Sequence, residues 1–177
     1  MNTVIFDTNL LLDFFVFKDP KTSVLWEAAK ERKFRTATCE GALSELEDVL
    51  KRPQFKVTPE QLEAVKEEFL HVAEVLPITT EAKARCKDPL DQKFIDLTLS
   101  YSPALLISKD KLVLRCARHL RPLGSNILPP EKAIAFLSTK RKRIFDFRFL
   151  FFFLQCCRFI GFFSNLCVKR FDLLDAS

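Results

Sequence analysis

Two short runs limit what this chain can become. Thr3–Phe6 (TVIF) and Ala104–Ser108 (ALLIS) carry no charge at any position, instead of alternating with polar residues, and an acid follows each: Asp7 directly, Asp110 two residues beyond Ser108. A strand without alternation is one covered on both faces, which is the signature of a parallel sheet between helical layers. The segments between them fit that architecture. The spacing predicts helices over Leu10–Val16, Val24–Lys33 and Glu40–Lys51, the last ended by Pro53, and a second strand over Phe34–Thr38. Thr58 and Pro59 supply a cap and an N1 proline for a helix that carries Leu62, Val65, Phe69 and Val72 at helical spacing. Pro89 opens a helix to Leu99 that turns Phe94, Ile95, Leu97 and Thr98 to the core. A short helix over Leu112–Ala117, a strand over Asn126–Leu128 and a helix over Pro130–Leu137 complete the series. Strands alternating with helices predict an α/β fold: a three-layer α/β/α sandwich around a central parallel sheet.

The chain has 177 residues, enough for one domain with an appendage. Its net charge of +5 is unevenly placed: 20 of the 28 basic and 20 of the 23 acidic residues precede Thr139, which leaves the whole excess to the remainder. Ten of the 19 phenylalanines lie there as well. The sequence therefore divides into a net-neutral domain, residues 1–138, and an atypical basic, Phe-rich tail, residues 139–177. The uncharged runs Phe149–Cys157 and Phe159–Val168 are 9 and 10 residues long, well short of the roughly 18 that a spanning helix needs. As a helix, the tail would align Arg148, Gln155, Arg158 and Asn165 in one stripe, which suits an interfacial helix better than a span. The preferred reading is a segment that did not evolve with the domain, the product of a frameshift or a fused frame. Membrane association, or burial against a partner or another subunit, are the alternatives.

Several chemistries lack material. The six cysteines show no CxxC and no framework spacing, which speaks against a zinc site or a disulfide scaffold and for a reduced, cytoplasmic setting. Asp7 and Asp13 interrupt the apolar N-terminus, and no basic region precedes it, so it does not read as a signal peptide. Two isolated histidines, His71 and His119, give little for triad catalysis, and three glycines leave no phosphate-cradling loop. What remains is carboxylate. In open parallel sheets ligands bind outside the carboxyl ends of the strands, where Asp7 and Asp110 fall, and Glu45 and Asp91 can join them from flanking helices. Several like charges brought together are tolerable mainly around a cation. Oxygen ligands without His or Cys favour Mg2+ or Mn2+.

Read in order, VIFDTNLLLDFF (4–15), ALSELEDVLKRPQF (42–55), CKDPLDQKFIDLTL (86–99), ALLISKDKLVL (104–114) and NILPPEKAIAFL (126–137) resemble the PIN domain, a family of metal-dependent ribonucleases, in its branch of toxins from toxin–antitoxin systems. The resemblance implies an endoribonuclease with Asp7, Glu45, Asp91 and Asp110 as catalytic metal ligands for Mg2+ or Mn2+. Thr8, Asn9 and Ser108 match supporting polar positions. It also implies three partners: RNA, a cognate antitoxin and a second copy of the chain. The basic residues flanking the ligands, Arg85, Lys87, Lys93, Lys109 and Lys111, are candidates to meet RNA, with Lys93, Lys109 and Lys111 preferred. The chain departs from the pattern at Leu90 and Gln92, beside Asp91, where the branch often has acids, at Lys109, where it often has glycine, and at Leu112, where a further acid often stands. Asp88 and Asp96 are secondary ligand candidates, read otherwise as a helix N-terminal charge and an exposed helix face. These departures keep a different class open: a catalytically silent interaction or structural module on the same fold.

Overall fold

The computed structural model describes residues 3–139. The chain divides into two units, Met1–Ala135 and Phe136–Ser177; the predicted features of the Phe-rich tail lie outside the described residues.

The first unit is built on five parallel strands: β1 (Thr3–Phe6), β2 (Arg35–Thr38), β3 (Ala73–Val75), β4 (Ala104–Ile107) and β5 (Asn126–Leu128), in the order β3-β2-β1-β4-β5. Around them lie α1 (Thr8–Leu12), α2 (Pro20–Lys30), α3 (Glu40–Leu50), α4 (Pro59–Val72), α5 (Gln92–Ser100), α6 (Lys111–Arg115) and α7 (Ala117–Leu120). Residues 130–139 are helical too. The uncharged runs TVIF and ALLI form the two adjacent strands β1 and β4. Thr3 to Phe6 pair with Ala104 to Ile107 in register, and every residue of both is buried. Ile5, Leu106 and Ile107 have no exposed surface; burying each such side chain contributes about 1.5–3 kcal/mol.

The chain winds outward from β1 to β3, returns across the sheet, and places β4 and β5 on the other side of β1. Because parallel crossovers are right-handed, that reversal covers both faces with helices, giving the α/β sandwich. It also makes a switch point between β1 and β4, the place where such sheets open a crevice.

Local chemistry explains three of the helix starts, α2, α4 and α6. Thr58 and Gln61 form a reciprocal capping box ahead of α4, with Pro59 at its first position. Asp19 accepts from the Lys21 N–H ahead of Pro20, which begins α2 four residues before the apolar pattern becomes visible. A π-helical turn, Asp13–Phe17, continues α1. Of the strands and α-helices named above, β3 and α7 have no counterpart in the prediction. Strand β3 has three residues, follows α4 without a break, and exposes Glu74 and Val75, so it carries no hydrophobic pattern.

Candidate metal centre

The polypeptide geometry at the ends of β1 and β4 brings two of the acids together. The Asp7 N–H donates to the Ile107 carbonyl at 3.1 Å, and the Asp7 carbonyl accepts from Leu10 and Leu11, opening α1. Ser108, fully buried, connects the acids directly: its hydroxyl donates to Asp7 Oδ2 at 2.5 Å, and its Oγ accepts from the Asp110 N–H at 2.9 Å. Asp110 Oδ1 in turn accepts from the Leu112 and Val113 N–H groups as the cap of α6.

Asp7 is only 2% exposed. Burial pushes its carboxyl above the usual range, against the opposing hydrogen bonds from Ser108 and the Asn9 N–H, and the charges of Glu45 and Asp110 push the same way. Asp91 sits where a 3-10 turn, Pro89–Asp91, runs into α5. Its carboxyl is raised to about 6, first by desolvation, then by Asp7, Asp88, Asp110 and Glu45. The four acids expected from the sequence thus lie within electrostatic reach of one another, and the neighbouring charges add to the burial that raises the Asp7 and Asp91 carboxyls. Thr8 Oγ1, buried beside Asp7, has no hydrogen-bond partner. Asn9 is exposed and contributes its backbone N–H to Asp7.

The acids are not gathered into a ready cage. Among the described residues, no three or more His, Cys, Asp or Glu form a group that could hold an ion. Two of the side chains are occupied elsewhere. Asp110 caps α6, and Glu45 Oε2 lies 2.6 Å from Lys93 Nζ. Glu45 Oε2 is buried and has no hydrogen bond of good geometry; the close ammonium compensates it as an ion pair. The donor set nevertheless fits Mg2+ or Mn2+: hard oxygens only, one of them on a deeply buried carboxylate, with like charges that a cation would relieve.

The remaining candidates separate clearly. Lys109 is turned to Asp13 and Asp19, with an ammonium–carboxylate distance of 3.5 Å to the latter. Lys93 also donates to the Leu90 carbonyl. Lys111, Arg85 and Lys87 are exposed, and Arg85 pairs with Glu81. Asp88 caps the Pro89 turn through the Leu90 N–H. Asp96 corrects the expectation of an exposed helix face: it is 7% exposed and accepts from the Ala82 N–H and from Gln92 Nε2, both at 2.8 Å. It fastens the loop before α5, a structural task. Its place between Ile95 and Leu97 was the available sign of burial. The sequence reading did not foresee Asp13 and Asp19 as the partners of Lys109, since they come from a segment about 90 residues away.

A five-stranded parallel sheet between helices, with Asp7 and Ser108–Asp110 following its two central strands, defines an α/β protein with a switch point between β1 and β4. A family model described as PIN domain matches residues 3–112, and the chain belongs to that family. PIN domains are typically metal-dependent nucleases. No curated protein matches the chain.

Proposed function

We propose that the protein is a Mg2+- or Mn2+-dependent endoribonuclease in which Asp7, Glu45, Asp91 and Asp110 hold the metal. The observation that carries this reading is the meeting of Asp7 and Asp110 at the switch point through Ser108, beside an Asp91 carboxyl raised to about 6 first by desolvation and then by the neighbouring acids. A bound divalent ion would supply Lewis-acid polarisation of the phosphoryl group and activation of the attacking water. The chain's own residues do the rest. Ser108 holds Asp7 Oδ2 in one orientation and ties it to the Asp110 backbone. Burial of Asp7 keeps water from screening its charge. Lys111, exposed beside Asp110, would meet an RNA phosphate. The order and spacing of the sequence motifs support a narrower role, the cytoplasmic toxin of a toxin–antitoxin module, bound by an antitoxin and paired with a second copy. Among the described residues no helix is long and apolar enough to cross a membrane.

One observation favours a second reading, a catalytically silent module: Glu45 and Asp110 are engaged by Lys93 and by the start of α6. Cleavage of single-stranded RNA by the full chain separates the two. The enzyme reading expects cleavage that requires Mg2+ or Mn2+ and is lost in Asp7→Asn and Asp91→Asn. Folded protein that cuts no RNA with either ion, or variants as active as wild type, would overturn it. The toxin role predicts that a small protein is encoded beside this chain and co-purifies with it; the role fails if no such complex forms.

A further inference from the structure

Lys93 stands out because an amine occupies part of a site whose other members are acids. Its ammonium is 2.6 Å from Glu45 Oε2 and donates to the Leu90 carbonyl; its side chain is only 18% exposed. Its stem crosses the first turn of α3, where a Cβ on Gly41 would come 3.4 Å from Lys93 Cδ, and the ammonium lies 5.0 Å from the Phe94 ring centroid. Gly41 and Glu45 are one helical turn apart on the same face, so Lys93 spans the distance between them. Beyond it opens a cavity of about 360 Å³, lined by Cys39, Gly41, Leu76 and Ile78 among others, with Lys93 in its wall. The side chain therefore has open space beside it.

An ammonium and a divalent ion cannot both take Glu45 at full strength. We infer that Lys93 is the resident cation of the metal-free site, displaced from Glu45 when Mg2+ or Mn2+ binds and thereby released to contact the RNA phosphate. The inference rests on the metal-dependent reading above. It makes metal binding and RNA binding cooperative: the ion lifts Lys93 from Glu45, and by reciprocity RNA held by Lys93 tightens the ion.

The test uses the full-length wild type, Lys93→Gln and Lys93→Arg, each checked for cooperative melting. Free Mn2+ is followed by its electron paramagnetic resonance signal. Loss of the competing ammonium should tighten Mn2+ binding in Lys93→Gln about fivefold, while Lys93→Arg stays near wild type. Binding of a hydrolysis-resistant phosphorothioate oligoribonucleotide is then measured against salt. With Mn2+, the slope of log affinity on log salt should be smaller by about 0.7 in Lys93→Gln, one phosphate contact on a single strand; without metal the two slopes should coincide. If wild type binds Mn2+ and Lys93→Gln binds it no more tightly, or if the slopes differ equally without metal, this inference is overturned and the metal site stands. If wild type binds no Mn2+, both readings fall.

Discussion

Glu45 and Glu47 lie two residues apart on α3, each beside a lysine, but they face different neighbours. Glu47 faces Lys66 at 2.9 Å and Lys51 at 3.8 Å, and the Lys66 contact, with Lys51 adding to it, holds its carboxyl below the usual range. Arg35 does the same for Glu74 on β3. On the other flank of the helix Glu45 joins Asp7, Asp91 and Asp110, where burial and like charge raise the Asp7 and Asp91 carboxyls. Acids that stabilise a fold are matched with bases. Asp7 and Asp91 are instead raised by burial and by neighbouring acids, and Glu45, between the two groups, carries the Lys93 ammonium at 2.6 Å.

Breaking this contrast should have its largest effect on chemistry. Asp7→Asn and Asp91→Asn are expected to reduce RNA cleavage by about a hundredfold or more, as measured with a fluorescent single strand under Mg2+, while Glu47→Gln stays within about twofold of wild type. Equal losses at Glu47 would erase the distinction. The second effect has the opposite sign. Removing a repelled charge should stabilise the protein, so Asp91→Asn is expected to raise the unfolding free energy at neutral pH by about 1 kcal/mol, the full cost of a shift from 3.8 to about 6 being reduced by solvent screening. Denaturant titration decides; a destabilised Asp91→Asn would mean that the acid is structural. The smallest effect is in the pH profile. A carboxyl raised on folding binds its proton more tightly in the native state, so its contribution is present below the unfolded value and is lost as pH rises through the folded one. Relative to Asp91→Asn, wild type should lose stability between about pH 4 and pH 6.5. Superimposable profiles would remove Asp91 from the strained set.

How much of this could be read from residue order follows from range. TVIF and ALLIS announced buried strands because every residue in them is apolar or uncharged and both faces are covered, and Asp7 and Asp110 were found because strand ends are visible in sequence. Glu45 and Asp91 needed the family pattern, since nothing local aims a helix at a distant strand. Strand β3 escaped because three residues with two exposed side chains carry no period. The pairings Lys93–Glu45 and Lys109–Asp13, like the Ser108 link between Asp7 and Asp110, join segments far apart in sequence, and residue order records no such meetings. Asp96 was misplaced for a related reason: charge suggested surface, whereas its neighbours Ile95 and Leu97 and its partner Gln92 one turn earlier set it inside.

The central claim is that the four acids wait for a divalent cation, and calorimetric titration of the full chain with Mn2+ at pH 6 in buffers of different ionisation enthalpy tests it most directly. An Asp91 carboxyl near 6 is about half protonated there. Saturable binding that releases protons at pH 6, releases far fewer at pH 8, and disappears in Asp7→Asn is the predicted result. Absence of saturable binding, or binding that is unchanged in both Asp7→Asn and Asp91→Asn, would contradict it.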